Sequence, residues 1–136
     1  MAAKKISTTT LPKSEFKNYW GKALQFYNAM NLCLQDQEWD AVLLNGVHAA
    51  ISASDALTVF LTGKRSSSKL HQDAVALLIH AVSENQEDRK NASRLSEILN
   101  EKHQIEYEPR RFTEREAFAF AQKTERFFEW VKNRLP

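Results

Sequence analysis

The sequence predicts an all-α protein of five helices. Three observations carry this. Apolar residues recur at steps of three and four along most of the chain, the spacing of one helix face. A long run from Asp40 to Gly63 (DAVLLNGVHAAISASDALTVFLTG) is apolar nearly all round, as expected of a helix at the centre of a bundle. No segment shows convincing strand alternation, and no internal repeat is visible.

Residues 1–13 (MAAKKISTTTLPK) are polar and Thr-rich and read as a flexible tail ending near Pro12. One domain is expected over residues 14–135. The first helix starts at Ser14, a candidate N-cap, with Glu15 in the first turn. Phe16, Trp20, Ala23, Tyr27, Met30 and Leu34 form its seam; Tyr19, Leu24, Phe26 and Cys33 widen it. The break from Gln35 to Glu38 is short, which favours a hairpin with the central helix. Gly21 and Gly46 fall inside helices, and close helix approach is expected to compensate for them. Gly63 is placed to end the second helix as its C′ residue.

The run Lys64 to Leu70 (KRSSSKL) reads as a polar loop. A third helix is expected from about Ser68 to Glu84, burying Ala74, Val75, Leu77, Leu78 and Val82. The charged stretch 84–90 marks a bend. A fourth helix, about Asp88 to Lys102, has a narrow apolar line (Ala92, Leu95, Ile98, Leu99) and is expected to be the most exposed. Ile105 to Phe112 reads as a loop, because Pro109 disfavours helix at Glu108. Thr113 with Glu116 makes a capping box that opens the last helix, with Phe120, Thr124, Phe127, Phe128, Val131 and Leu135 on one face.

Composition bounds the function. With 43% hydrophobic and 26% charged residues, the chain is expected to be soluble and globular. A net charge of +2 does not by itself argue for nucleic acid, so any such contact needs a local patch. The one cysteine, Cys33, rules out an internal disulfide and a cysteine-based zinc site, and suits a reducing cytoplasm. The N-terminus lacks the apolar stretch of a secretory signal, and the central run, which contains Asp55 and His48, reads as core rather than a membrane span. No two histidines have the spacing of a helical metal pair, so no metal and no cofactor are expected.

The polar residues of the central helix fall on one line. Asn45, His48, Ser52, Asp55 and Thr62 are spaced 3, 4, 3 and 7 apart, so they share a stripe. A carboxylate and an imidazole there must be paired, face a cleft or lie at an interface, because an unpaired buried charge is costly. That stripe is the first place to look for function.

The order of these pieces resembles a known family. An aromatic first helix (WGKALQFYNAM) is followed by HAAISASDALTVFLTG, then KRSSSKLHQDAVALL, and finally IEYEPRRFTEREAFAFAQKTERFFEWV. The pattern is similar to HEPN domains (higher eukaryotes and prokaryotes nucleotide-binding domains) over residues 14 to 135. The resemblance implies an up-and-down bundle of four to five antiparallel helices and two kinds of activity. Many HEPN domains are metal-independent endoribonucleases, often toxins, whose Arg and His side chains meet across a homodimer. Others are non-catalytic modules encoded beside a minimal nucleotidyltransferase. The ribonuclease motif is Arg, four to six residues, then His; Arg65 and His71 are separated by five. Ser66 follows the arginine, where the family commonly has Asn, Asp or His.

The residue chemistry is consistent with either activity. A histidine transfers protons near neutral pH and an arginine grips phosphate with two donors. Asp55, about two and a half turns before Arg65, is expected to orient Arg65 or His71. Each residue also has a structural alternative: a solvated loop position for Arg65, an N-terminal helix position for His71, a salt bridge for Asp55 and a core hydrogen bond for His48; His80, among apolar residues of the third helix, reads as structural. A second cluster surrounds the loop before the last helix: Lys102, His103, Tyr107, Arg110 and Arg111. It is suited to a phosphate chain and a stacked base, or to a solvated mixed-charge loop balanced by Glu106, Glu108 and Glu114. The expected function is a nucleotide- or partner-binding module associated with a nucleotidyltransferase in a toxin–antitoxin-like system. The alternatives are a ribonuclease using Arg65 and His71 across a homodimer, with RNA as substrate, and a structural helical dimer.

Overall fold

The computed structural model describes residues 5–82 and 85–136. Helix α1 spans Phe16–Gln35, α2 Trp39–Thr62, α3 His71–Ala81, α4 Gln86–Asn100, α5 Lys102–Tyr107 and α6 Glu114–Arg134. Two short strands, β1 (Thr8–Thr10) and β2 (Lys64–Ser66), pair antiparallel, with Thr9 opposite Arg65. The class is all-α, with α2 as the axis against which every other helix packs.

Helix α2 is buried from Ser52 through Val59, which explains why it is apolar on every face. It is long and apolar enough to cross a membrane, yet 78% of that window is buried inside the bundle. Its approach to α1 and α6 depends on Gly46. A Cβ there would lie 2.4 Å from Phe120 Cε1 and 3.0 Å from Met30 Sδ, so only glycine fits. Gly21 has open space around it, so the expectation of close approach fails at that position. Phe127, Met30, Leu43, Leu57, Leu78 and Leu95 fill the centre. Phe128 is stacked between Trp20 (4.6 Å) and Tyr27 (4.1 Å), which fixes α6 against α1.

Several boundaries differ from the sequence reading. Ser14 is not a helix cap: Lys13–Glu15 forms a 3-10 turn and α1 begins at Phe16. The reading of 1–13 as a loose tail is corrected for residues 7–11. Beyond the strand pairing, Ser7 O accepts from Ser67 N (3.0 Å) and Leu11 N donates to Gly63 O (2.8 Å). Residues 1–4 lie outside the described part. The expected loop at Lys64 therefore contains a strand. Helix α3 starts at His71, not Ser68, because Ser68 turns the chain instead: its Oγ accepts from Leu70 N (3.0 Å) and donates to Asp73 Oδ2 (2.7 Å). The expected end at Glu84 also lies outside the described residues; α3 ends at Ala81.

Helix α4 is capped by Asn85, whose Oδ1 accepts from Asp88 N (2.8 Å). It is not the most exposed helix. Ala92, Leu95, Ile98 and Leu99 are all buried, whereas α1 buries only Ala23 and Met30 among its twenty residues. Buried Asp88 accepts from Trp130 Nε1 (3.2 Å) and Arg134 Nη1 (2.5 Å), tying α4 to the end of α6. Ile105, expected in a loop, lies in α5; the chain becomes extended at Glu108, as Pro109 requires. The Thr113–Glu116 capping box is formed.

Candidate functional site

Gly63 creates the site's geometry. Its φ of 73° is a left-handed conformation that ends α2 and turns the chain back along the bundle. The returning segment becomes β2, held by β1, and carries Arg65 back to Asp55, two turns inside α2. Arg65 Nε donates to Asp55 Oδ2 at 3.3 Å. The pair is unequal, with the Arg65 side chain 34% exposed and that of Asp55 only 11%. The Arg65 guanidinium lies over the Tyr19 ring of α1 at 5.4 Å, so its direction is fixed from two sides.

Asp55, Arg65 and His71 line one cavity of about 130 Å³. The hydroxyl residues Ser54, Ser66 and Ser68 join them, above an apolar floor that includes Ile51 and Leu95. Burial pushes the Asp55 carboxyl up to about 6, against the opposing pull of the Arg65 charge and hydrogen bond and the Lys22 charge. Burial, reinforced by the Lys102 charge, lowers the His71 pKa, and Glu106 partly opposes this. His71 is therefore neutral at pH 7, and Asp55 is poised to change charge slightly below it. An arginine whose Nη groups make no hydrogen bond among the described residues, the Ser54 and Ser66 hydroxyls and a neutral imidazole make a cavity suited to a phosphate-sized anion.

The other expected residues divide. Lys102 lies close enough to His71 to shift it, while pairing with Glu106 (3.4 Å). His103 and Tyr107 lie against each other at a tilt of 43° on the exposed side of α5, with centroids 5.3 Å apart. Arg110 pairs with Glu116 and covers the Phe112 ring. Arg111 binds Asp40 at 2.5 Å. Asp40 and Asp55 are 15 residues apart on α2, about 22 Å along the axis, so Arg111 braces the opposite end of the bundle. The second cluster is thus not one site. His48 continues the Asp55 stripe toward α1 but rests against Phe26, with centroids 5.3 Å apart. His80 is exposed, not packed among apolar residues. Among the described residues, no group of three or more His, Cys, Asp or Glu side chains gathers as a metal would need.

Sequence reasoning missed Tyr19, Lys22 and the serines. The run Ser66–Ser68 beside Arg65 was a visible signal; Tyr19 gave none, because its role depends on how α1 crosses the α2 terminus.

The fold and its cavity define a small helical domain with an anion-competent pocket where the central helix ends. The HEPN domain family model matches residues 16–134, and the chain belongs to the HEPN family. HEPN domains are generally related to nucleotides and RNA. No curated protein matches the chain.

Proposed function

We propose that this HEPN domain is a nucleotide-binding module that takes a phosphate group into the cavity of Asp55, Arg65 and His71. One observation carries the reading: three polar side chains from three successive elements, α2, β2 and α3, converge on one cavity, with Arg65 oriented by both Asp55 and Tyr19. The Nη groups of Arg65 grip the phosphate, the Ser54 and Ser66 hydroxyls donate to it, and the apolar floor excludes water around it. The module acts as a homodimer beside a partner nucleotidyltransferase. Calorimetry with AMP, ADP and ATP tests the pocket. Saturable binding, weakened at least tenfold by Arg65→Ala, is expected; heat changes identical in the two proteins count against the reading. Light scattering and co-purification with the nucleotidyltransferase test the dimer and the partner.

A metal-independent ribonuclease is the second reading, favoured by the lowered His71 pKa beside a guanidinium. Neutral His71 would take the 2′-OH proton as the 2′-oxygen attacks phosphorus, Arg65 would stabilise the phosphorane charge, and the P–O5′ bond would break with the 5′-oxygen taking a proton from the imidazolium so formed, leaving a 2′,3′-cyclic phosphate. Cleavage of RNA in EDTA, abolished by His71→Ala, supports it. Intact RNA after prolonged incubation at micromolar protein eliminates it.

A further inference from the structure

A second feature lies on the other side of α4. Leu95 and Leu99 face the cavity, whereas Lys90, Ser93, Arg94 and Glu97 line an open groove of about 470 Å³ against Ala119, Lys123 and Arg126 of α6. The whole chain carries a net charge of only +2, yet this groove gathers four basic side chains and one acid. Glu97 is already engaged by Lys123 at 2.8 Å, leaving Lys90, Arg94 and Arg126 as the charge excess.

One of these cations is held in place. Arg94 Nη1 donates to Asn91 Oδ1 at 3.0 Å. Asn91 is fully buried, and its amide donates to Glu87 O (2.9 Å) and Glu87 Oε1 (3.2 Å). A buried asparagine thus fixes a surface guanidinium, reducing the side-chain entropy lost when Arg94 meets a ligand. Between the charged walls stand the small residues Ser93 and Ala119, with the Gln122 amide beside them as a neutral hydrogen-bonding group.

We propose that the α4–α6 groove docks an acidic segment of a partner protein, independently of the phosphate cavity. Carboxylates of that segment pair with Arg94 and Arg126 across the groove and with Lys90 at its end. Charge complementarity identifies the occupant, and two features favour a peptide over a nucleic-acid strand. The cationic stretch from Lys90 to Glu97 is about 10 Å long, enough for two helical turns or three extended residues. Among the described residues, no aromatic side chain lines it for base stacking.

The test uses the full chain labelled with 15N and a deca-glutamate peptide as probe, at 50 mM salt. Amide shifts confined to residues 90–97 and 119–126 are expected, and the affinity should fall at least tenfold when Lys90→Gln and Arg126→Gln are combined. Among the described residues neither of those side chains closes a hydrogen bond, so this variant should unfold at the same temperature; Arg94→Gln is the second, independent variant. Arg65→Ala should leave the peptide affinity unchanged, and the groove variant should leave nucleotide binding unchanged. Absence of shifts in the groove, or equal affinity in the double variant, overturns the proposal. Tighter binding of a ten-nucleotide oligo(U) at the same residues assigns the groove to nucleic acid instead.

Discussion

Replacing Asp55 with Asn isolates the electrostatics of the site. The carboxyl titrates near 6 in the folded chain against 3.8 as its ordinary value, because burial opposes its charge more than Arg65 favours it. A shift of this size corresponds to about 3 kcal/mol. The folded value is raised, so folding favours the protonated form. The associated stability is fully present below about pH 4 and is lost as pH rises through 6. Asparagine has the shape of the neutral acid and does not titrate. Relative to wild type, Asp55→Asn should therefore gain about 3 kcal/mol between pH 4 and pH 7. Urea unfolding of both proteins at half-unit steps measures this, and subtracting the two curves removes every other titrating group. A difference that stays flat across this window would refute the reasoning: Arg65 would then fully compensate burial, and Asp55 would be an ordinary salt-bridge partner.

Further outcomes follow from the same geometry. At pH 7.5, Asp55→Asn should weaken phosphate or nucleotide binding, because a neutral amide holds the Arg65 guanidinium less firmly than the carboxylate does, as read by calorimetry. Gly46→Ala places a methyl group against Phe120 and Met30 and should destabilise the fold by about 1–3 kcal/mol, seen as a lower Tm. Phe127→Ala empties a fully buried site at the centre of α6 and should cost about 3–5 kcal/mol in urea unfolding. Deleting residues 1–10 removes the strand opposite Arg65. Amide exchange at residues 64–66 should then accelerate and nucleotide affinity should fall, while the helical circular dichroism is retained.

The parts legible in the sequence were those with a local cause. Helix spacing, Gly63 as terminator, the Thr113 capping box and the extended break before Pro109 depend on neighbours within a few residues, and each is present. The β1–β2 pair was not legible. Each strand is three residues long and polar, so its signal is the ladder itself, formed between segments more than fifty residues apart. The exposure of α4 was misread because its apolar line is narrow but continuous, and such a line can be buried completely between neighbours. At the site, the stripe on α2 marked Asp55, and the Arg–His spacing marked Arg65 and His71. Sequence did not separate Lys102, which acts on His71, from Arg110 and Arg111, which brace other elements. All are basic residues near one loop, and only the path of the chain after Tyr107 distinguishes them.

The cavity needs a buried acid because of where its arginine comes from. Arg65 lies on a short polar strand that has no core of its own, beyond the end of a helix that has little except core. A guanidinium on such a segment would ordinarily sample solvent. The carboxylate inside α2 and the Tyr19 face restrict it, and β1 limits the backbone beneath it. Burial of the carboxylate lowers stability near pH 7, and it is compensated by the long apolar surface of α2 around it. That arrangement places Arg65 on the wall of a small cavity it shares with His71, so an entering anion would meet a guanidinium already held in position. A surface Asp–Arg pair would supply the same residues without that direction, and would be worth little once hydrated. Orientation, more than charge, is therefore what α2 gives the site, so Arg65→Lys should lose most of the binding even though the charge is kept.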